Sequence, residues 1–282
     1  MSETRRVSET LARHPTMEGA GVRLHRVFGN LEVPRLDPFL LLDDFGSDNP
    51  DDYIAGFPWH PHRGIETVTY MLSGKVEHQD SLGNKGVIGP GDVQWMTAGS
   101  GIIHQEMPER ADGPLRGFQL WVNMPAAHKM ITPKYRGITA NEIPITTPGD
   151  GVTVGVIAGE YNGTPGPVQD VVADPEYFDV SLRPGLEFVR ATHPGHRVFA
   201  YVVEGSALFE PAGRAPIGAG NAVVYEDGQS VSITAGDEGV RFLFLSGKPI
   251  GEPVSWYGPI VMNTEQEIRQ AFEEYENGTF IK

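Results

Sequence analysis

The chain contains no cysteine. Disulfides and thiolate metal sites are therefore excluded from the outset. It also lacks any run approaching the ~18 apolar residues needed for a helix that crosses a bilayer. The N-terminal stretch MSETRRVSETLARHP has no apolar core of the kind a secretory signal requires. A cytoplasmic protein without a membrane partner is the expectation. Basic residues are scarce: 22 Lys and Arg stand against 37 Asp and Glu, for a formal charge of -15. Direct nucleic-acid binding depends on Lys and Arg neutralising phosphates, so it is not expected of a chain with no basic run. The acidic excess by itself speaks only for solubility.

Turn formers are abundant. The 282 residues include 35 glycines and 23 prolines, about a fifth of the chain, which is more than average yet short of low complexity. Many turns imply many short strands. Strands are expected from Val22, through Ile65–Leu72 and Lys75–Asp80, at Val93–Thr97 and at Phe118–Asn123, with turns at Ser73-Gly74, Gly83-Asn84 and Gly89–Asp92. Turn signals every 8–12 residues are the pattern of a barrel or sandwich. The stretch Leu40–Phe57 carries Asp43, Asp44, Asp48, Asp51 and Asp52. Its spacing does not fit a helix-flanked calcium loop, and a solvated loop is the expectation.

HRGIETVTYMLSGKVEH at 62–78 resembles HRVFAYVVEGSALFE at 196–210, and GPGDVQWM at 89–96 resembles GAGNAVVY at 218–225. A repeated strand, turn, strand order at similar spacing, in a length that suits two domains, points to two copies of one barrel. The expected division is a barrel at 1–136, a linker at 137–150 and a second barrel at 151–282. Thr264-Glu265-Gln266-Glu267 reads as a capping box, and Ile268, Ala271, Phe272 and Tyr275 then fall at helical spacing before Gly278. A C-terminal helix packed on a barrel follows.

The chemistry concentrates in two short motifs. In His60-Pro61-His62 the two imidazoles stand at i and i+2, which in a strand puts them on one face. His104-Gln105-Glu106 repeats the spacing with a carboxylate as second member. A lone His-x-His is more often an exposed or core pair than a ligand pair. A second such pair in the same barrel reverses that weighting. Three imidazoles and a carboxylate suit iron, and equally manganese, cobalt, nickel, copper or zinc. In an octahedral site they leave two positions open. Glu66 keeps the parity of His62 and is the rival carboxylate, or a group that orients a histidine. Arg63 should point away, toward a salt bridge or the barrel surface. Phe57, Trp59, Met71, Trp95, Met96 and Trp121 lie near the expected site; most of them are expected to be barrel core, and a flat aromatic substrate would nonetheless suit such walls. In the second copy His193 and His196 are three apart, so they cannot share a strand face, and that barrel is expected to be metal-free.

GFPWHPHRGIETVTYMLSG (56–74) and GDVQWMTAGSGIIHQEMPE (91–109) resemble the pirin family of cupins. The likeness continues through FQLWVNMP (118–125), DGVTVGVIAGE (150–160) and GPIVMNTEQEIRQA (258–271). The resemblance implies an all-β chain of two tandem cupin barrels with a C-terminal helix, and one mononuclear divalent metal, Fe(II) first, in the N-terminal barrel. The matching ligand positions are His60, His62, His104 and Glu106. It further implies a dioxygenase acting on a flavonol of the quercetin type with dioxygen, Glu106 serving as general base. The alternative it leaves open is a non-catalytic metal- or redox-sensing regulator with a protein partner. A monomer is expected in either case.

Overall fold

The computed structural model describes residues 4–110, 113–210 and 215–282. Its elements are antiparallel strands, a few 3-10 turns and one α-helix among the described residues, Glu265–Glu276. The all-β architecture with a terminal helix is as the sequence implies. Thr264 accepts from the Glu267 backbone while the Glu267 side chain accepts from the Thr264 backbone, the expected capping box.

The chain divides into two compact units, Met1–Arg13 with Asn141–Pro249, and His14–Ala140 with Ile250–Lys282. The boundary at Ala140/Asn141 lies within the stretch read as a linker, but the terminal segments are exchanged relative to the contiguous division. Sheet pairing and burial explain the exchange. Val7–Ala12 extends the later sheet by pairing with Asn221–Tyr225. Arg5 is buried there, donating to the Thr192 hydroxyl and to the carbonyls of His193, His196 and Glu226. At the other end, Val261 joins an apolar cluster with Leu40, Ile65, Met96 and Ile102. The helix buries Ile268 and Ala271 against Ile260, Met262 and Phe280. Half of the linker is sheet: Lys134–Ile138, whose last two residues fall in it, pairs with Val93–Thr97, and Ile145–Gly149 with Val152–Ala158.

Besides the two-stranded pair Ser255–Tyr257 with Ile260–Met262, the unit that carries the histidine motifs has two larger sheets. One orders its strands Lys134–Ile138, Val93–Thr97, Ile65–Ser73, Leu115–Asn123, Phe39–Ser47, Val22–Phe28 and His14–Glu18. The other runs Phe57–His62, Ile102–Pro108, Val76–Asp80 and Lys85–Ile88. The second unit repeats the plan: Ile65–Ser73 pairs with Val93–Thr97 as Arg197–Leu208 pairs with Asn221–Tyr225. Gly74, just after Ile65–Ser73, and Gly205, at a register shift within Arg197–Leu208, both hold a left-handed φ, +75° and +71°, which glycine adopts at no steric cost.

The acidic stretch departs from expectation. Phe39–Ser47 is an interior strand of the seven-stranded sheet and Asp43 is buried in it. Only the residues after Ser47 form a turn, with a 3-10 segment at Pro50–Asp52 capped by Asn49. Arg26, one strand away, supplies the partner that lets Asp43 sit inside. The guanidinium donates from Nε to Asp43 Oδ1 and from a terminal nitrogen to Oδ2, both at 2.8 Å.

Candidate metal centre

His60 and His62 end the Phe57–His62 strand, which pairs antiparallel with Ile102–Pro108 so that His104 lies opposite His60. The i, i+2 spacing on the first strand and cross-strand register on the second therefore bring three rings together. Their centroids are 4.8 Å apart for His60 and His62, 4.4 Å for His60 and His104, and 5.0 Å for His62 and His104. One nitrogen from each lies within 4.8 Å of the others.

Hydrogen bonding fixes the tautomers. His60 Nδ1 is 2.8 Å from the Pro58 carbonyl and His62 Nδ1 is 2.9 Å from that of Pro259. A carbonyl can only accept, so each Nδ1 carries the proton and each Nε2 exposes a lone pair. Those two Nε2 atoms face each other at 3.0 Å. Burial pulls the His62 pKa down to about 3, with His60 adding to the effect, and lowers that of His60 as well. Neither ring therefore supplies a bridging proton at neutral pH. His104 is fully buried with neither ring nitrogen hydrogen-bonded. Burial, reinforced by His62, His60 and His78, holds it neutral too. Facing lone pairs and an unsatisfied buried imidazole are costly, and a cation answers both. The backbone carbonyls behind His60 and His62 are the orienting groups that metal-binding histidines ordinarily have.

Glu106 follows His104 by two residues on the same strand and is buried. It is not within the three-histidine set. Its Oε1 lies 2.9 Å from the Thr69 hydroxyl, and burial raises its pKa to about 7 against the opposing pull of that hydrogen bond. Glu106, His60, His62 and Thr69 line one cavity of about 700 Å³. Phe57, Trp59 and Trp121 are in its wall as expected, together with Trp256, which sequence reasoning missed. Met71 and Met96 belong to the core, the place expected for most of this set.

Glu66 is placed elsewhere. It accepts from Trp95 Nε1 and from Thr97 Oγ1, and Arg136 lies 3.8 Å away. The parity argument fails because Gly64, at φ +77°, turns the chain from one sheet into the other between His62 and Glu66. Glu66 then faces opposite to Thr69, three residues on. Arg63 does form the expected salt bridge, with Glu274 at 2.8 Å, but is buried rather than superficial. It donates to the carbonyls of Ser100 and Phe280 and lies 4.2 Å over the Phe280 ring. His193 and His196 flank a turn, their rings 4.9 Å apart.

Comparison with known proteins agrees with this fold. Residues 21–122 match the Pirin family and residues 177–281 the Pirin C-terminal cupin domain. A pirin-like protein of Caulobacter vibrioides is 46% identical over 267 residues, covering 94% of this chain and 95% of that one. The structure of a quercetin 2,3-dioxygenase from Acinetobacter baumannii is 33% identical with a TM-score of 0.90 and covers 99% of both chains. That of the bacterial pirin YhhW from Escherichia coli, in complex with nickel(II), is 25% identical with a TM-score of 0.68, covering 86% of this chain and 98% of the other. The chain belongs to the pirin family.

Proposed function

We propose that this protein is a metal-dependent dioxygenase that opens a flavonol of the quercetin type, with His60, His62, His104 and Glu106 holding one divalent metal, Fe(II) in the native state. The observation that carries the metal site is the pair of facing Nε2 lone pairs 3.0 Å apart beside an unsatisfied, buried His104. The reaction type is carried over from the quercetin dioxygenase that the whole chain resembles.

When bound, the metal supplies Lewis acidity that lowers the pKa of a coordinated hydroxyl. The chain's own residues do the rest. Phe57, Trp59, Trp121 and Trp256 hold a flat ring system in the cavity and displace water from it. Glu106 accepts the hydroxyl proton of the flavonol, and Thr69 steadies its carboxylate at 2.9 Å. Pro58 and Pro259 keep the His60 and His62 rings aimed inward through their carbonyls.

The test is carbon monoxide release from quercetin in air by the purified protein reloaded with iron(II), beside His62→Ala. Release that depends on iron and vanishes in the variant is expected. No release from protein shown to hold iron would refute the dioxygenase reading.

A further inference from the structure

Where four neighbouring strands of the seven-stranded sheet line the cavity, they are apolar except along one line. On Val22–Phe28 the residues that line it are Val22, Leu24 and Arg26; on Phe39–Ser47 they are Leu41, Asp43 and Phe45. On Leu115–Asn123 they include Leu115, Gln119 and Trp121, and Ile65–Ser73 contributes Thr69. Each of four neighbouring strands thus places a single polar residue in its inward series. The four are in register: Arg26 opposite Asp43, Asp43 opposite Gln119, and Gln119 opposite Thr69. With strands ~4.8 Å apart, this row runs ~14 Å from Thr69, which touches Glu106, out to Arg26.

The fold does not demand this polarity. In the second unit the corresponding register positions are Val156, Phe178, Phe244 and Ala200, all fully buried and apolar. The sheet therefore forms with an oily row, and a buried ion pair is no cheaper way to stabilise it.

The row also has spare hydrogen-bonding capacity. Arg26 uses two of its N–H groups on Asp43 and a third on Glu18 at 2.9 Å. A guanidinium has five. Thr69 Oγ1 lies 2.9 Å from Glu106 Oε1 and 2.8 Å from the Gln119 side-chain oxygen, with one proton for two acceptors. Glu18, Arg26 and Asp43 together carry one net negative charge, which disfavours an anion.

We propose that Glu18, Arg26, Asp43 and Gln119 form a hydroxyl-recognition subsite that selects an uncharged aromatic ligand carrying hydroxyl groups at the end remote from the histidines. The inference rests on the flavonol reading of the same cavity and specifies what that flavonol must bear. Ring hydroxyls donate to Asp43, Glu18 or Gln119 and accept from the remaining N–H groups of Arg26. A bare ring in the same place would leave those groups unpaired, the situation in which polar sites discriminate most strongly.

The experiment measures equilibrium binding of quercetin and of 3-hydroxyflavone, which lacks the remote hydroxyls, to nickel(II)-loaded protein under argon, read from quenching of tryptophan fluorescence. Wild type is expected to favour quercetin by ~10-fold or more, the worth of a hydrogen bond to a charged group. The double variant Arg26→Met with Asp43→Leu, which removes both charges together, should bring the ratio of the two Kd values to within ~3-fold. Gln119→Leu should lower it part of the way. Binding of both flavonols with no preference in wild type would overturn the subsite and leave the flavonol reading standing. So would a preference that survives both variants. If neither flavonol binds, the flavonol reading fails and the subsite with it.

Discussion

Lys129 offers a sharp test of how the scaffold behind the metal centre is held. Its ammonium is buried and donates to the Gly64 carbonyl at 2.7 Å, to Asn123 Oδ1 at 2.6 Å and to the Val261 carbonyl at 3.1 Å. It thereby ties the turn after His62 to the C-terminal strand that follows Pro259, the residue orienting His62. Burial lowers its pKa from 10.5 to about 8, with Glu252 and Glu267 acting in the opposite sense. The sign follows from proton occupancy. Below pH 8 both folded and unfolded chains hold the proton, and the fold bears the full cost of the buried charge. Between the two pKa values the unfolded chain binds more protons than the folded one, so stability rises with pH. At ~1.4 kcal/mol per unit the gap corresponds to a ceiling of about 3 kcal/mol. Lys129→Met has no such titration, and it strands three acceptors at ~1–3 kcal/mol each, so it should be less stable at neutral pH. The measurement is urea unfolding of both proteins at pH 7, 8, 9 and 10. Titrations elsewhere in the chain are common to both and cancel in the difference. Wild type should gain on the variant by about 2–3 kcal/mol across that range. A difference that stays flat, or shrinks, would refute this account of Lys129.

Two further outcomes are expected. Glu106→Gln should weaken metal retention on gel filtration, measured by plasma mass spectrometry, whereas Glu66→Gln should keep the metal and lose only about 1–3 kcal/mol of stability at its bonds to Trp95 and Thr97; the reverse pattern would assign the carboxylate ligand to Glu66. Metal at a hundredfold over its Kd should stabilise the fold by ~2.7 kcal/mol, or roughly 5 °C in Tm for a chain of this size. His62→Ala should abolish that shift in a thermal melt while still unfolding cooperatively, and an undiminished shift would mean that the metal binds elsewhere.

The part of the site that sequence made legible is the part set by strand periodicity. His60 with His62, and His104 with Glu106, each stand two apart on one strand, and the structure keeps each pair on one face. The capping box announced the helix for an equally local reason. What sequence could not show depends on where the chain turns and what returns from afar. Parity carries Glu66 to the site only if the strand is unbroken, and Gly64 breaks it. The carbonyl that orients His62 belongs to Pro259, and Trp256 completes the cavity wall, both from a segment nearly two hundred residues downstream. Asp43 looked like part of a solvated loop because Asp favours turns. Its burial becomes intelligible only once Arg26 is known to be its cross-strand neighbour. A signal was present even so: LLLDDF sets Asp43 between apolar residues in a strand-like run.

The two barrels of one chain act as an internal control on what the cavity is for. Where the first unit has Asp43 and Gln119, the second has Phe178 and Phe244, stacked with centroids 5.7 Å apart. Phe188 and Phe242 fill the space beside them within one continuous apolar cluster. Each buried aromatic ring removes roughly 150–250 Å² from water, and at ~25 cal/mol per Å² a filled row is a large stabilising contribution. The first unit forgoes it. Its row is polar, with hydrogen-bonding capacity to spare, and it borders a cavity lined by His60 and His62. Loss of packing on this scale, confined to one copy of a repeated fold and aligned in register from Glu106 outward, follows from the need to admit a ligand and to hold it in one orientation. The second unit, with the same strand order and its row packed with rings, shows that the fold alone requires neither the cavity nor its polar line.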